Sequence, residues 1–131
     1  MKTVFYSWQS DLPSNINRNF IKESIEEAIK IVNQEVEIDS SPRKDDQILE
    51  LDHDTRNTPG SPPIVQTIFN KIDNCEMFLA DLTFVAKTFK TNPNTKKFRL
   101  VPNANVLIEY GYAKKGSNLL FTSLVDAPIF I

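Results

Sequence analysis

The feature of the sequence that most constrains the fold is a short apolar run at residues 77–80, which ends at the charged residue Asp81. Four consecutive apolar residues leave no polar face, which is the pattern of a β-strand buried on both sides. Such strands belong to parallel sheets, because the helical crossovers between parallel strands cover both faces. The run therefore predicts an α/β architecture with Phe78 and Ala80 in a central strand.

The segments on either side of this run complete an alternation of strands and helices. Residues 2–8 and 119–125 are short apolar stretches typical of strands. A further strand is predicted at 36–38, and the stretch 48–51 either extends or replaces it. Three stretches between the strands predict helices, and in the first two of them the apolar residues form one face at the 3.6-residue period of an amphipathic helix. The first of these helices has its apolar face at Ile16, Phe20, Ile21, Ile25, Ala28, Ile29 and Val32.

The other two predicted helices have recognisable ends. Ser61 and the two prolines after it predict the start of the second helix. The third helix occupies residues 105–115, and Gly116 terminates it. The resulting order β-α-β-α-β-α-β predicts one domain over residues 1–131, with a parallel sheet between two layers of helices. Two segments stand outside this pattern: a long polar connection at 84–102, and an apolar end at 129–131 that is either a short last strand or a sign of a longer protein.

Composition excludes several classes of function. Fifteen basic side chains against seventeen acidic ones give a net charge of -2, whereas non-specific nucleic-acid binding requires a basic surplus. No apolar run approaches the roughly 20 residues of a membrane-spanning helix, and the N-terminus lacks a signal-peptide pattern. The single cysteine and single histidine provide neither an internal disulfide nor a zinc-type cluster. We therefore expect a cytoplasmic protein without a bound metal.

Polar residues concentrate where the predicted strands end, which is where ligands bind in open parallel sheets. Four segments meet there: residues 6–11, 52–56, 81–83 and 102–105, the last leading to Glu109. Glu109 follows Asn105 by four residues, so both lie on one face of the third helix. Since the neighbouring helix positions are apolar, two interpretations of Glu109 are open: it faces a polar site, or it faces solvent.

Several other residues in these segments have ordinary structural explanations. Asp81 is suited to capping a turn, and the charged residues 52–56 are suited to a solvated loop. His53 is a lone loop histidine, and Cys75 has the position of a small buried apolar side chain. With three glycines in total, the chain has no glycine-rich phosphate loop.

Four segments, in this order, resemble conserved boxes of TIR domains. Residues 4–11, Val-Phe-Tyr-Ser-Trp-Gln-Ser-Asp, resemble the first box, and residues 54–60, which end in Pro-Gly, resemble the BB loop. The helix and strand at 64–79 match the elements that come after that loop in the family. Residues 103–113 resemble the catalytic helix of bacterial TIR-like nucleotide-binding proteins, and also the Asn-Val-x-x-Glu-x-Gly-x-Ala signature of nucleoside 2-deoxyribosyltransferases.

The chain also departs from the TIR pattern. The connection at 84–102 is longer than usual, and the order of charged residues in the BB-like loop differs. Asn103 and Asn105 stand where many TIR domains have a tryptophan and a cysteine before the glutamate. These departures concern the shape of the pocket more than the flavodoxin-like fold that the resemblance implies.

The resemblance implies hydrolysis of NAD+ to nicotinamide and linear or cyclic ADP-ribose, with NAD+ as substrate and no cofactor. Nicotinamide departs as a neutral molecule, so one carboxylate can suffice where ordinary glycosidases need two. Glu109 is the predicted catalytic residue, without a metal. The predicted substrate-binding residues are Tyr6, Ser7, Trp8, Asp11, Arg56, Asp81 and Asn105.

The resemblance also implies self-association with other TIR-like domains, and a role as an assembly-activated effector of bacterial antiviral defence. Two alternatives are open. One is an enzyme of the nucleoside deoxyribosyltransferase kind. The other is a non-catalytic module that binds a nucleotide or assembles with further TIR-like domains.

Overall fold

The computed structural model describes residues 1–38, 44–54, 60, 63–88, 98–116 and 120–124. Within these ranges the chain forms strands and helices in alternation. In chain order they are β1 (Lys2–Ser7), α1 (Arg18–Ile38), α2 (Lys44–Gln47), β2 (Leu49–Asp52), α3 (Ile64–Asn74), β3 (Met77–Asp81), β4 (Phe84–Lys87), β5 (Leu100–Pro102), α4 (Ala104–Lys115) and β6 (Leu120–Leu124).

Four of the strands form one parallel sheet in the order β2-β1-β3-β6. Counted among themselves, these strands have the order 2-1-3-4 that is typical of flavodoxin-like sheets. The predicted central strand is confirmed, because β3 pairs with both β1 and β6, and Phe78 and Ala80 are 0% exposed. The predicted α/β class with a central parallel sheet is therefore confirmed.

Helices cover both faces of this sheet, and alternate residues of each strand point to opposite faces. On one face, Phe5, Phe78 and Ala80 pack with α3 and α4. On the other face, Val4 and Tyr6 pack with α1. On the first face, the buried residues that the helices contribute are Ile72, Val106 and Ala113. On the second face, Ile25 of α1 and Leu51 of β2 complete the buried layer.

The second strand of the sheet lies at Leu49–Asp52, so the interpretation that placed it at 36–38 is wrong. Residues 36–38 instead form the last turn of α1. The Asn33 side chain anchors this helix to the start of β2, because its amide donates to the Leu49 carbonyl and its oxygen accepts from the Leu49 N–H, both at 2.9 Å.

The predicted apolar face of α1 is only partly buried. Ile25 is buried, whereas Phe20 is 62% exposed; Ile16, also 62% exposed, lies in the turn before the first residue of α1. The helix leaves an apolar groove of about 370 Å³, whose walls include Phe20 and Val32 from α1 and Met77 and Leu79 from β3.

The connection at 84–102 contains structure that its polar composition does not predict. Its two ends, β4 and β5, pair as an antiparallel hairpin, with Phe84 opposite Pro102 and Lys87 opposite Leu100. This pairing returns the chain to the end of β3 and delivers it into α4. Ser61 and residues 129–131, on which two of the predictions above depend, lie outside the described residues.

None of the described helices is long and apolar enough to cross a bilayer.

Candidate functional site

A cavity of about 360 Å³ opens beyond the carboxyl end of β1, between the loops after β1 and β2 and the N-terminal halves of α3 and α4. Its position matches the general rule that ligands bind outside the carboxyl ends of parallel strands. Both polar and apolar side chains line it. The lining residues are Trp8, Gln9, Ser10, Asp54, Ile64, Val65, Ile68, Phe69, Asn103, Asn105, Ile108 and Glu109.

Glu109 is half-buried in this cavity, on the face of α4 that it shares with Asn105. The Ser7 hydroxyl, at the end of β1, donates a hydrogen bond to Glu109 Oε2. Burial raises the pKa of Glu109, the Ser7 hydrogen bond opposes that rise, and the negative charge of Asp54 adds to it. Of the two interpretations of Glu109, the structure supports the one in which it faces a polar site.

The first turn of α4 is held by Asn103, the N-cap residue. Its Oδ1 accepts a hydrogen bond from the Val106 N–H at 3.1 Å, which satisfies one of the free donors of the helix start. Its Nδ2 donates to Asp11 Oδ2 at 2.6 Å. One side chain therefore both caps the helix that carries Glu109 and ties it to the loop after β1.

Trp8 forms an aromatic wall of the cavity, and three side chains contact its ring. The Arg18 guanidinium carbon lies 4.8 Å from the centroid of its ring, and the His53 ring lies 4.1 Å away. Tyr6 meets the Trp8 ring edge-on at 6.2 Å. These contacts orient the indole before any ligand binds, which lowers the entropic cost of stacking on it.

The wall formed by α3 is apolar. Phe69 lines the cavity and stacks on Tyr112, with ring centroids 4.0 Å apart and planes within 1° of parallel. The Tyr112 hydroxyl donates to Asp73 Oδ2 at 2.7 Å, and this hydrogen bond ties Tyr112 of α4 to α3. The cavity thus contains the rings of Trp8 and Phe69 together with the carboxylate of Glu109.

Asp54 supplies a second carboxylate to the cavity. It lies just after β2, is exposed, and has a φ of 47°. Aspartate tolerates this left-handed backbone conformation better than most residues do. The Asp54 residue forms part of the cavity wall. Arg56, two residues further along the predicted BB-like loop, lies outside the described residues.

Asp81 does not line the cavity. It is 0% exposed and accepts hydrogen bonds from the N–H and hydroxyl of Thr83, from Gln9 Nε2 at 3.0 Å and from Asn17 Nδ2 at 3.4 Å. Asp81 therefore caps the turn at Thr83, which is one interpretation of Asp81 from the sequence. It also belongs to a buried polar network with Gln9 and Asn17.

The structure brings together some of the predicted site residues and separates others. Trp8, Asn105 and Glu109 line the cavity, Ser7 bonds to Glu109, and Asp11 contacts the cap of α4. Tyr6 is fully buried on the opposite face of the sheet, next to Ile25 and Leu51, and burial raises its pKa. The alternation of side chains along a strand already implies that Tyr6 and Ser7 point to opposite faces.

Some residues of the cavity were not in the predicted set. The most informative are Gln9, Asp54, Phe69 and Asn103. Asn103 had a recognisable signal, because an asparagine three residues before a helical N–H is a typical cap. Gln9 and Asp54 had none, since their roles depend on side chains distant in sequence.

Among the described residues, no three His, Cys, Asp or Glu side chains are grouped as a metal site requires. The expectation that the reaction proceeds without a metal stays a prediction.

Comparisons with known proteins give little further information. No family model matches the chain, and no curated protein matches it. Among solved structures, the chain is similar to a 2-desoxiribosyltransferase from Leishmania mexicana, at 14% sequence identity and a TM-score of 0.45. The match covers 97% of this chain and 66% of that one. The TIR assignment suggested by the motifs receives no support from these comparisons.

Proposed function

We propose that this protein cleaves the N-glycosidic bond between a ribose-type sugar and a nitrogenous base, with Glu109 acting at C1 of the sugar. The observation that carries the proposal is the half-buried Glu109 carboxylate, held by Ser7 in a cavity that also contains the Trp8 and Phe69 rings. The cavity volume of about 360 Å³ lies within the usual range for small-molecule sites.

The chemistry requires a negative charge close to C1. Cleavage of a glycosidic bond passes through an oxocarbenium-like transition state, which a carboxylate stabilises or attacks. Partial burial of Glu109 strengthens this interaction, because fewer water molecules screen it. The Ser7 hydroxyl engages Oε2, so Oε1 is the oxygen directed to the sugar. Asn105, on the same helix face, is placed to hydrogen-bond a sugar hydroxyl.

The second carboxylate favours a nucleoside as the substrate. A neutral base leaves more readily when it is protonated, and Asp54 is the acidic group in the cavity wall available for this. Among the described residues that line the cavity there is no lysine or arginine, the usual partners of phosphate. The acceptor of the sugar is then a second base, as in deoxyribosyl transfer, or water.

NAD+ is the second candidate substrate, and the charge of the same cavity favours it. Two carboxylates, Asp54 and Glu109, attract the cationic nicotinamide ring, which departs neutral and needs no acid. The resemblance of four segments to TIR boxes supports the same substrate. In this case Asp54 contributes through its charge and not through a proton.

The test is release of free base, measured by chromatography. Inosine, deoxyinosine with and without added adenine, nicotinamide riboside and NAD+ are incubated separately with the protein, at low and high protein concentration and with a crowding agent. Glu109→Gln should slow base release at least about a hundredfold, since it removes a transition-state charge, while changing substrate affinity far less. Glu35→Gln, an exposed glutamate of α1, is the matched control.

Each outcome decides between the candidates. Deoxyinosine consumption that depends on adenine supports transfer between bases, and consumption of NAD+ alone supports NAD+ hydrolysis. Equal rates for Glu109→Gln and the parent would remove Glu109 from the chemistry. Saturable binding without release from any substrate would overturn the enzymatic proposal in favour of a nucleotide-binding module.

A further inference from the structure

We propose that Gln9 is the positioning residue of this site: its buried amide fastens the loop after β1 to the end of β3, and through that loop it holds the helix start that carries Glu109. The inference rests on the proposed function for its catalytic meaning. The structural coupling on which it depends can be measured without a substrate.

Gln9 is 2% exposed, although it belongs to a loop, and both ends of its amide are engaged. Its Oε1 accepts from the backbone N–H groups of Asp11 at 2.8 Å and Leu12 at 3.0 Å. Its Nε2 donates to Asp81 Oδ2 at 3.0 Å. One side chain therefore shapes the loop and joins it to the neighbouring strand.

The contacts admit one orientation of this amide. If the amide were turned over, its oxygen would face the Asp81 carboxylate and its NH2 group would face two N–H donors. Two oxygen acceptors that face each other without a donor are costly in a buried site, so the fully buried Asp81 favours the NH2 group of Gln9 at this point. The negative charge of Asp81 thus selects the orientation in which Gln9 holds the loop.

The loop is in turn attached to α4. Asp11 Oδ2 accepts from Asn103 Nδ2 at 2.6 Å, and Asn103 caps α4 through the Val106 N–H. Ser7, two residues before Gln9, bonds to Glu109 itself. The segment from Ser7 to Asp11 therefore contacts α4 at two points, and Gln9 lies between them.

The experiment compares two variants that remove a donor from the same carboxylate. Gln9→Met preserves the length of the side chain and removes its hydrogen bonds to Asp81 and to the loop. Asn17→Leu removes the donors to Asp81 and Thr83 and leaves the Gln9 contacts with the loop in place. Amide hydrogen exchange is followed by NMR at Leu12, Val106 and, as a reporter of global unfolding, Phe78.

In Gln9→Met, we expect exchange at Leu12 and Val106 to accelerate about tenfold more than at Phe78, because a net hydrogen bond is lost from the loop and the cap loosens. In Asn17→Leu, exchange at Val106 should follow Phe78. Equal behaviour of Val106 in the two variants would overturn the coupling, as would unchanged exchange in Gln9→Met.

A polarity swap keeps the inference testable if Gln9→Met folds poorly. In the double variant Gln9→Glu/Asp81→Asn, the carboxylate at position 9 accepts from the loop N–H groups, and the amide at position 81 donates to it in place of the long 3.4 Å contact that Asp81 Oδ2 accepts from Asn17. Gln9→Glu alone places two carboxylates together and should accelerate exchange at Val106, whereas the double variant should restore it. Failure of the double variant to improve on Gln9→Glu contradicts the assigned geometry.

The catalytic part is measured on whichever substrate the base-release assay identifies. Gln9→Met should lower kcat more than it raises KM, and the swap should recover kcat, while Asn17→Leu leaves both close to the parent values. Normal kcat despite faster exchange at Val106 would overturn the positioning role. If no substrate is cleaved by the parent, the proposed function fails while the exchange data still decide the coupling.

Discussion

Removal of the Ser7 hydroxyl tests the electrostatics of the site most directly. Ser7 is 1% exposed and donates to Glu109, and this hydrogen bond favours the ionised carboxylate. In Ser7→Ala, burial and the Asp54 charge act on Glu109 without that opposition, so the pKa of Glu109 rises further. Activity that needs the carboxylate then begins at a higher pH than in the parent.

The size of the effect depends on the type of hydrogen bond. A hydrogen bond to a charged group contributes about 1.5–3 kcal/mol, which corresponds to roughly a 10- to 100-fold change in rate. We expect a loss of this size at a pH where Glu109 is ionised in the parent and protonated in the variant. The loss should shrink as the pH rises above the pKa of Glu109 in the variant, because the carboxylate is then ionised in both proteins.

The assay is a pH–rate profile of base release. Ser10→Ala is the matched control, because Ser10 lines the same cavity and is exposed. We expect the acidic limb of the profile to move to higher pH in Ser7→Ala and to stay in place in Ser10→Ala. An unmoved limb in Ser7→Ala would refute the argument that this hydrogen bond sets the charge of Glu109.

Three further predictions concern stability. Phe78→Ala should lower the free energy of unfolding in urea by about 3–5 kcal/mol, because Phe78 is fully buried and stacks on Phe5; a loss below about 1 kcal/mol would contradict its central position. Asn103→Ala should cost about 1 kcal/mol in the same assay through loss of the α4 cap, and no change would argue against the cap. Gly60→Ala should lower the melting temperature, because Gly60 has a φ of 80°. Gly111→Ala in α4 should raise it by an amount equivalent to about 0.5–1 kcal/mol, because alanine favours a helix and its Cβ meets no neighbour there. The opposite order would refute the assigned backbone conformations.

The order of the main strands and helices was predictable from local patterns. The apolar run at 77–80 became the central strand β3, the 3.6-residue periods of the first two predicted helices became α1 and α3, and the stretch that ends before Gly116 became α4. These features depend on side chains within a few residues of one another, so their period along the chain is sufficient evidence.

The position of the cavity was predictable as well, but only its helical lining was predicted in detail. The four-residue spacing of Asn105 and Glu109 places both on one helix face, and both line the cavity. The contribution of β1 was only partly predicted. Ser7 and Tyr6 are adjacent in sequence, yet one bonds to Glu109 and the other is buried on the α1 side of the sheet.

Local patterns in the sequence establish the strands β1, β3 and β6, the helices α1, α3 and α4, and the helix that carries the carboxylate, because these properties arise from the period and composition of short segments. Tertiary structure alone decided the strand at Leu49–Asp52, the β4–β5 hairpin, the place of Asp54 in the cavity wall and the contact between Ser7 and Glu109, which are 102 residues apart. The physical reason is that strand pairing and buried polar contacts are selected by the packing of distant segments, and a buried group such as Asp81 accepts only the neighbours that satisfy its hydrogen bonds.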